Sequence, residues 1–394
     1  MKNIDEMDKK KCCGCRACEQ VCPKHAIKMI ENEEGFFEPR IDKALCVDCG
    51  LCIKKCAQCN DIGNYRKMNQ SKVFAAKNKN KEEQSQSSSG GVFSVIANYI
   101  IENNGIVYGC VFNEHMEAEH IGIENKEDLV KLRGSKYVQS NTQCTYSEVK
   151  KYLENGSYVL YSGTPCQIAG LRLFLGEEYG NLITIDLLCH GVPSEKIFKK
   201  YLKWLEQKNN SKVKEYFFRN KQKTTWGLTY KPRVLFEKGT KLLSGNTDPY
   251  IKAFLKGTIL RESCYNCKYT SFERVGDITL GDFWGIENEY PKFWDSKGVS
   301  FIKLNTNKSL ELFDKIKSQI EYIEVNYEAV LKYANPMKES TKRMDSRDLL
   351  SKKLELGSIE DALGIKITSK DYLKSIIPDI IKRKKIELKI NKKK

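Results

Sequence analysis

Residues 12–23 read CCGCRACEQVCP, and residues 46–56 read CVDCGLCIKKC. Each stretch has three cysteines at two-residue intervals and a fourth after three more residues, a pattern typical of bacterial 4Fe–4S ferredoxins. Three closely spaced thiolates wrap one cube, and the fourth cysteine of each stretch binds the other cube. The spacing therefore predicts one cluster held by Cys12, Cys15, Cys18 and Cys56, and a second held by Cys46, Cys49, Cys52 and Cys22.

Zinc is the alternative ligand for clustered cysteines, but zinc sites favour two separated CxxC pairs over this seven-residue triplet. Cys13 and Cys59 are surplus to both motifs and are expected to be bystanders. Ala57 stands where the pattern usually has a proline. We therefore expect residues 1–60 to form a bacterial-ferredoxin-like domain with two 4Fe–4S clusters.

The chain has 394 residues and 16 cysteines, ten of which lie between Cys12 and Cys59. The first eleven residues lack the apolar segment of a signal peptide, and no apolar stretch is long enough to cross a bilayer. A cytoplasmic location is therefore expected. In that reducing compartment, clustered cysteines favour metal over disulfide bonds.

The formal net charge is +16, which by itself suggests an anionic partner. Anionic clusters would remove part of this charge, and the basic residues form no stripe with aromatic residues, so no nucleic-acid partner is expected. Basic residues concentrate at 382–385 and 392–394, within a basic C-terminal tail spanning 351–394. The tail is expected to be solvated; the alternative is a helix that lies on a membrane or an acidic partner.

From Gly90 onward the hydrophobic pattern indicates a mixed α/β domain. Together with the ferredoxin domain and the tail, the predicted division is a linker at 61–89, an N-terminal part at 90–180 and a C-terminal part at 181–350. Strands are predicted at 106–112, 158–162, 182–188, 213–218, 233–237, 278–280 and 300–304. Helices are predicted at 91–102, 146–153, 166–175, 194–207, 249–255 and 309–318.

Four cysteines of the mixed domain form a weaker pattern. Cys264 and Cys267 make one CxxC half site, Cys189 ends a predicted strand, and Cys166 follows Thr164-Pro165, a helix-start signal. A helix N-terminus is expected to lower the Cys166 pKa. From the residues alone, a third 4Fe–4S cluster, a zinc site and ordinary buried cysteines all remain open. No GxGxxG or P-loop motif is present.

Six short motifs occur in order: 88–91 (SSGG), 134–140 (GSKYVQS), 163–167 (GTPCQ), 189–191 (CHG), 264–267 (CYNC) and 276–282 (GDITLGD). Together they resemble the beta-subunit family of the hydrogenases and dehydrogenases that use the deazaflavin coenzyme F420. That family also contains plant 7-hydroxymethyl chlorophyll a reductase. The resemblance covers roughly residues 73–350.

The resemblance implies FAD beside a third 4Fe–4S cluster held by Cys166, Cys189, Cys264 and Cys267. The implied flavin contacts are Ser89, Gly90, Gly91, Gly134, Ser135, Lys136, Tyr137, Ser140, Gly163, Thr164, Asp277 and Asp282. The amides of Gly90 and Gly91 open a predicted helix, which suits a pyrophosphate. In the alternative interpretation, these glycines only start a helix, Lys136 is a surface charge, and the two aspartates cap turns.

No catalytic residue is assigned. His190 adjoins the proposed centre and is a conceivable proton donor, whereas His25, His115 and His120 are expected to be exposed. The prediction is an FAD-dependent oxidoreductase that passes electrons between 4Fe–4S clusters and a flavin, which exchanges a hydride with an organic substrate. The alternatives are an oxidoreductase for reduced F420, an electron-transfer subunit of a larger dehydrogenase or hydrogenase complex, and a zinc-stabilised binding module. The expected partner is a redox protein or a small organic substrate.

Overall fold

The polypeptide forms a small cysteine-rich module followed by a larger mixed α/β region. The structure is a computed structural model, and it describes residues 2–62, 67–221, 226, 231–363, 366–376 and 379–392. The predicted fold class, a ferredoxin-like module before a mixed α/β domain, is confirmed.

The cysteine-rich module has short elements. Its helices are α1 (Ala17–Gln20) and α2 (Leu51–Lys54), and its antiparallel hairpin pairs β1 (Ile27–Glu31) with β2 (Phe37–Ile41). Arg16 precedes α1 and Gly50 precedes α2, both with left-handed backbone, at φ +61° and +73°. The repeated cysteine motif therefore folds in the same local way twice.

The larger region is built on an eight-stranded sheet. Its strands, and those of a second sheet, are β3 (Lys67–Asn78), β4 (Ile106–Phe112), β5 (Ala118–Ile123), β6 (Val159–Gly163), β7 (Leu182–Leu187), β8 (Val213–Phe217), β9 (Arg233–Phe236), β10 (Gly239–Leu242), β11 (Ile278–Asp282), β12 (Ser300–Thr306) and β13 (Ile320–Glu324). The large sheet has the order β13-β3-β12-β11-β7-β6-β4-β5, and the small sheet has the order β10-β9-β8. The central pairs β4/β6, β6/β7 and β7/β11 are parallel, which suits their apolar sequences because parallel strands are buried on both faces.

Helices pack on both faces of the large sheet. Those of the mixed region and the C-terminal segment are α3 (Lys81–Gln86), α4 (Val92–Glu102), α5 (Leu129–Leu132), α6 (Thr145–Glu154), α7 (Pro165–Leu175), α8 (Glu195–Asn209), α9 (Pro249–Lys256), α10 (Ile286–Glu289), α11 (Asn307–Ile316), α12 (Tyr327–Leu331), α13 (Leu350–Leu356), α14 (Ile359–Leu363), α15 (Ser369–Ile376) and α16 (Asp379–Lys392). Alternation along β6 separates the two faces. Leu160 packs in the cluster that contains α4 and α11, whereas Val159 and Tyr161 pack in the cluster that contains α6, α7 and part of the cysteine-rich module.

Helix α7 begins as the sequence predicts, within one residue. Thr164 forms a capping box with Gln167, Pro165 occupies the first turn, and Gly176 ends the helix with φ +78°. The capped start of α7 therefore places Cys166 in the first turn of the helix, just after the C-terminal end of β6.

The segment 61–89, predicted to be a linker, contains regular structure. β3 is an interior strand of the large sheet, between β12 and β13, and α3 follows it. The linker prediction is therefore wrong for these two elements, because the polar sequence KMNQSK at 67–72 masks the short apolar run at 73–76. The predicted boundary at residue 180 falls between β6 and β7, which pair directly, so the parts 90–180 and 181–350 share one sheet.

The segment 351–394 is only partly the solvated tail that the sequence predicts. Leu354, Ala362 and Leu363 are buried in a core that also contains residues of α8 and α9, so the prediction is wrong for residues 351–363. Farther on, Ile381 and Leu388 of α16 are exposed. Within the described residues, no helix combines the length and apolar character needed to span a membrane.

A buried ion pair fixes the end of β7 against the loop that leads into β11. Arg274 donates to the Asp186 carboxylate at 2.8 and 3.1 Å, and the other carboxylate oxygen accepts the N–H groups of Val275 and Gly276. Both charged side chains are almost fully buried. Removing either partner would therefore leave a buried charge without compensation.

We expect Asp186→Ala to lower the free energy of unfolding by about 3–5 kcal/mol, because the buried Arg274 guanidinium loses its partner. Glu114→Ala is the matched control, since Glu114 pairs with His115 at the surface, and its effect should stay within about 0.5 kcal/mol. Equilibrium urea denaturation measures both variants. Equal losses in the two variants would contradict the proposed importance of the buried pair.

Candidate functional site

The four cysteines predicted for the first cluster line one cavity, together with Met7. The Gly14 N–H donates to one of their sulfur atoms, Cys12 Sγ, at 3.4 Å. All four cysteines are buried. We call them the inner set: Cys12, Cys15, Cys18 and Cys56.

The four cysteines predicted for the second cluster line another cavity, and we call them the outer set: Cys22, Cys46, Cys49 and Cys52. Backbone amides approach their sulfur atoms, since the N–H of Ala26 lies 3.4 Å from Cys22 Sγ and that of Asp48 lies 3.5 Å from Cys46 Sγ. This cavity is near the surface: Cys49 is exposed, and neighbouring Val47 is 61% exposed.

Each cavity takes its fourth cysteine from the opposite motif, as the crossed pattern predicts. Within the described residues, no three His, Cys, Asp or Glu side chains lie close enough to hold a single metal ion. Zinc would require thiolates about 3.8 Å apart, from Zn–S bonds of about 2.3 Å. The crossed supply of the fourth cysteine to each cavity matches the ligand pattern of a two-cluster ferredoxin.

Four cysteines from three segments also come together in the mixed domain. Cys189 interacts electrostatically with Cys264 and Cys267, and Cys166 interacts electrostatically with Cys189. A Cβ on Gly191, two residues after Cys189, would lie 3.3 Å from the Cβ of Cys264. Burial raises the pKa of Cys189 to about 11 and that of Cys264 to about 12. Thiols of this kind lose their protons on binding a metal. We call these four residues the third set.

Cys13, expected to be a bystander, lies between the inner set and the third set. Its side chain packs in one buried cluster with Cys15, and Cys166 packs against that cluster. The pKa of Cys166 is raised, first by its hydrogen bond with Cys13 and then by burial. The lowered pKa predicted from the helix N-terminus is therefore wrong, because this contact and burial outweigh the helix dipole.

Three segments that the family resemblance implies in flavin binding meet at Arg219. Its guanidinium donates to the Asp282 carboxylate at 2.9 Å, to the Tyr137 hydroxyl at 3.3 Å and to the Ser88 carbonyl at 3.3 Å. Sequence reasoning missed Arg219, because it lies after β8 in a stretch that matches no motif. Only its contacts in the folded structure identify Arg219 as part of this junction.

Lys221 adds a second cation at this junction. Its ammonium donates to the carbonyl oxygens of Gln84 and Ser89 at 2.7 and 2.6 Å, and burial lowers its pKa to about 7. Gly91 begins α4 nearby, with φ +83°. A helix N-terminus beside two basic side chains suits an anionic diphosphate. The Gly90 N–H, however, donates to Ser300 Oγ at 2.9 Å, so the prediction that this amide faces a pyrophosphate is wrong.

The remaining implied contacts connect this junction to the third set. The Ser135 N–H donates to Ser88 Oγ at 2.7 Å, and Gly134 before it is exposed. The Gln167 amide donates to Ser140 Oγ at 3.0 Å. At the end of β6, Gly163 precedes Thr164, whose hydroxyl lies 3.2 Å from Cys166 Sγ. Segments 134–140 and 163–167 are therefore neighbours.

The Lys136 side chain caps the C-terminal end of α5. Its ammonium donates to the carbonyl oxygens of Lys131 and Arg133, both at 2.9 Å, and burial lowers its pKa to about 8. The side chain is half-buried rather than freely exposed. The surface-charge alternative therefore does not describe it.

Asp277 has its carboxylate occupied by protein groups. It accepts the N–H and hydroxyl of Thr184 and the hydroxyl of Thr306, and it pairs with Arg172 at 3.1 Å. Burial acts to raise its pKa, but Arg172 and Lys308 hold it below its usual value. Its position fits the structural alternative rather than a contact with flavin.

The histidines differ from their predicted exposure at one position. His120 is buried, stacks on Tyr161 and bonds the Ser162 carbonyl at 3.0 Å through Nε2, so its prediction as an exposed residue is wrong. Burial lowers its pKa to about 4. His25 and His115 are exposed as predicted. The Nε2 of His190, the conceivable proton donor, bonds the Phe254 carbonyl at 3.1 Å.

Comparison with known families divides the chain in a similar way. Residues 73–143 match the family described as coenzyme F420 hydrogenase/dehydrogenase, beta subunit N-term, and residues 156–329 match the family described as the C terminus of the same beta subunit. Residues 11–59 match a 4Fe-4S dicluster domain. The two beta-subunit matches together cover more than half of the chain.

Among solved structures, the chain is similar to one from the xenon-derivatized F420-reducing NiFe hydrogenase complex of Methanosarcina barkeri. The similarity has 19% sequence identity and a TM-score of 0.44, and it covers 76% of this chain and 90% of that chain. A likeness of this degree says nothing about function. No curated protein sequence gives a significant match.

We expect paired cysteine variants to test the crossed ligand sets through their iron content. Cys12→Ala with Cys56→Ala should lose about four iron atoms per chain, because both residues serve one cube, whereas Cys46→Ala with Cys56→Ala should lose about eight. Cys59→Ala is the matched control and should keep all its iron. Anaerobic iron and sulfide analysis gives the measurement, and the reverse pattern of losses would mean that each motif binds its own cube.

Proposed function

This chain belongs to the coenzyme F420 hydrogenase/dehydrogenase beta-subunit family, and we propose that it is a cytoplasmic FAD-dependent iron–sulfur oxidoreductase. It carries a 4Fe-4S dicluster domain, so the coarser function is iron–sulfur electron transfer. The finer proposal adds a third cluster and a flavin. The flavin, when bound, would exchange a hydride with an organic substrate and single electrons with the clusters.

The observation that carries this proposal is the convergence of four cysteines from three separate segments in the mixed domain. Cys166 stands at the start of α7, Cys189 follows β7, and Cys264 and Cys267 lie before β11. Four half-buried thiols from these segments match the donor set that a 4Fe–4S cube requires. We therefore propose the third set as the ligands of the third cluster.

The proposed flavin site lies next to the third set. The residues that would hold FAD are those of the segments 88–91, 134–140 and 163–164, with Asp282 at the end of β11. Arg219 would hold these loops in place, and the basic groups would face the diphosphate. We leave Asp277 out of the proposed contacts because its carboxylate is fully buried among protein partners. Asp282 bonds Arg219 and Trp226 but is only half-buried, so it stays among them.

The partner that delivers or accepts electrons would be a redox protein or a small organic molecule. Cys49 of the outer set is exposed, so the outer cluster is the one that an external one-electron carrier would approach. Two alternatives have reduced F420 as the substrate, or this chain as the electron-transfer subunit of a larger complex. The presence of its own two-cluster module favours an enzyme with its own relay.

Anaerobically purified protein is expected to hold about twelve iron and twelve sulfide per chain, together with flavin released by acid. Cys264→Ala should lower the iron to about eight, because one cube loses a ligand, and Cys144→Ala is a matched control that should keep twelve, since Cys144 is exposed and bonds Glu148. A Cys264→Ala variant with all its iron would refute the third site.

The same preparation can distinguish reduced F420 from a different organic molecule as the substrate. Rapid bleaching of the flavin band by reduced F420 would make F420 the substrate, whereas no response to it would favour a different organic substrate.

FAD affinity is expected to fall above pH 8 if Lys136 faces the flavin. The Lys136 ammonium is charged below its pKa of about 8 and neutral above it, so the attraction to the anionic diphosphate of FAD is present at pH 7 and lost as the pH rises. The loss should be at least about tenfold, since a hydrogen bond to a charged group contributes about 1.5–3 kcal/mol.

Fluorescence titration of the apoprotein with FAD between pH 7 and pH 9.5 measures this effect. Lys136→Met should bind weakly without this pH dependence, and Lys131→Met on the same short helix, where Lys131 pairs with Asp128 at the surface, should behave like wild type. Unchanged pH dependence in Lys136→Met would remove Lys136 from the flavin site.

A further inference from the structure

Arg261 lies where the cysteine-rich module joins the mixed domain, three residues before Cys264 of the third set. Its guanidinium donates to the Cys12 carbonyl at 2.6 Å, to the Phe37 carbonyl at 2.8 Å and to the Gln139 side-chain oxygen at 2.9 Å. The side chain is 3% exposed. One buried residue of the mixed domain therefore bonds the first cysteine motif and the hairpin of the module, together with a segment beside the proposed flavin site.

The backbone of the first cysteine motif fits closely against this residue. The Gln139 amide donates to the Cys13 carbonyl at 2.9 Å. A Cβ on Gly14 would lie 2.5 Å from the Gln139 amide nitrogen and 2.9 Å from the Arg261 guanidinium, and the φ of Gly14 is +68°. Only glycine satisfies both the close approach and the left-handed backbone at this position.

Arg261 brings a positive charge between two cysteine sets. Its three hydrogen-bond acceptors are neutral oxygen atoms, and its charge acts on Cys12 of the inner set and on Cys264 of the third set. A buried cation is costly unless anions lie close by. Two cubes, each with four thiolates, would supply that negative charge on either side.

The sulfur atom of Cys13 fills the gap between the same two sets. It packs in one buried cluster with Cys15 of the inner set, and Cys166 and Cys267 of the third set pack against that cluster. Gly170 of α7 also leaves room for this approach, since a Cβ there would lie 2.9 Å from Cys15 Sγ. The inner set, rather than the outer set with its exposed Cys49, therefore adjoins the mixed domain.

We infer that electrons cross between the cysteine-rich module and the mixed domain at Cys13, and that Arg261 is the positioning residue that holds this crossing and favours the reduced form on both sides. One electron leaves the inner set's cluster, which is oxidised, and enters the third set's cluster, which is reduced. No covalent bond forms or breaks in this step, and no proton is transferred. This inference rests on the proposed function, because it needs both clusters.

Arg261→Gln removes the charge and so tests its role, whereas Arg261→Lys keeps the charge but loses the planar guanidinium. Arg347→Gln is the matched control, since Arg347 is also buried and joins the module to the mixed domain through Glu34 and the Leu260 carbonyl. The measurement is an anaerobic redox titration followed by electron paramagnetic resonance on the full chain, with iron counted in each sample.

In Arg261→Gln, the clusters of the inner set and of the third set should each become about tenfold harder to reduce, which is about 59 mV for one electron. The reduction potential of the outer set's cluster should not change. Arg261→Lys should stay within about threefold of wild type, and Arg347→Gln within about twofold. If the glutamine variant loses iron, the lysine variant decides, because it keeps the charge. A shift of about tenfold or more in Arg261→Lys, or of more than about twofold in Arg347→Gln, would then overturn the role of the Arg261 charge.

Cys13→Ala tests the crossing itself, with Cys59→Ala as its control. Both should keep about twelve iron, and Cys13→Ala alone should slow reduction of the flavin, relative to reduction of the clusters, several-fold in stopped-flow mixing with dithionite. Unchanged rates and reduction equilibria with all iron retained would overturn this inference and leave the proposed function standing. Wild type with fewer than about twelve iron or no flavin would instead overturn the proposed function.

Discussion

The hydrogen bond between the Arg261 guanidinium and the Cys12 carbonyl oxygen joins two points of the chain that are 249 residues apart. A second buried arginine acts in parallel, since Arg347 pairs with Glu34 across 313 residues. These contacts decide where the inner set stands relative to the third set. Such bonds are needed to hold two redox centres at a short, fixed distance. A module attached by its polypeptide connection alone would sample many orientations.

The elements that sequence reasoning predicted well carry strong local signals. Helix α7 has a capping box, a proline in its first turn and a glycine at its end, and β4 and β6 are short apolar runs between turn residues. The two cysteine motifs belong to the same class, since the loop between closely spaced ligands has few conformations. For these parts, local chemistry and the final fold agree.

The parts that escaped prediction depend on contacts between distant residues. β3 is polar at its start and becomes an interior strand only through β12 and β13. Asp277 stands in a motif shared with the family, yet Arg172 and two threonines occupy its carboxylate. Arg219, Arg261 and Cys13 match no motif, and their places follow from packing alone. The burial of His120 has the same origin, because a single polar residue on a strand does not reveal which neighbour covers it.

The place of β3 in the sheet has a consequence for synthesis on the ribosome. Its partner residue for Ala76 is Ser300, roughly 220 residues later, so at about 5–20 residues per second the strand waits about 10–45 s for β12. During that delay the nascent chain carries unpaired backbone groups that another polypeptide can bind. Lys72 and Lys77 flank the apolar run at 73–76 and act as gatekeepers against such pairing. Once the sheet closes, Lys77 becomes buried and pairs with Glu321 at 3.1 Å, so a charge that keeps the growing chain soluble ends as part of the finished interior.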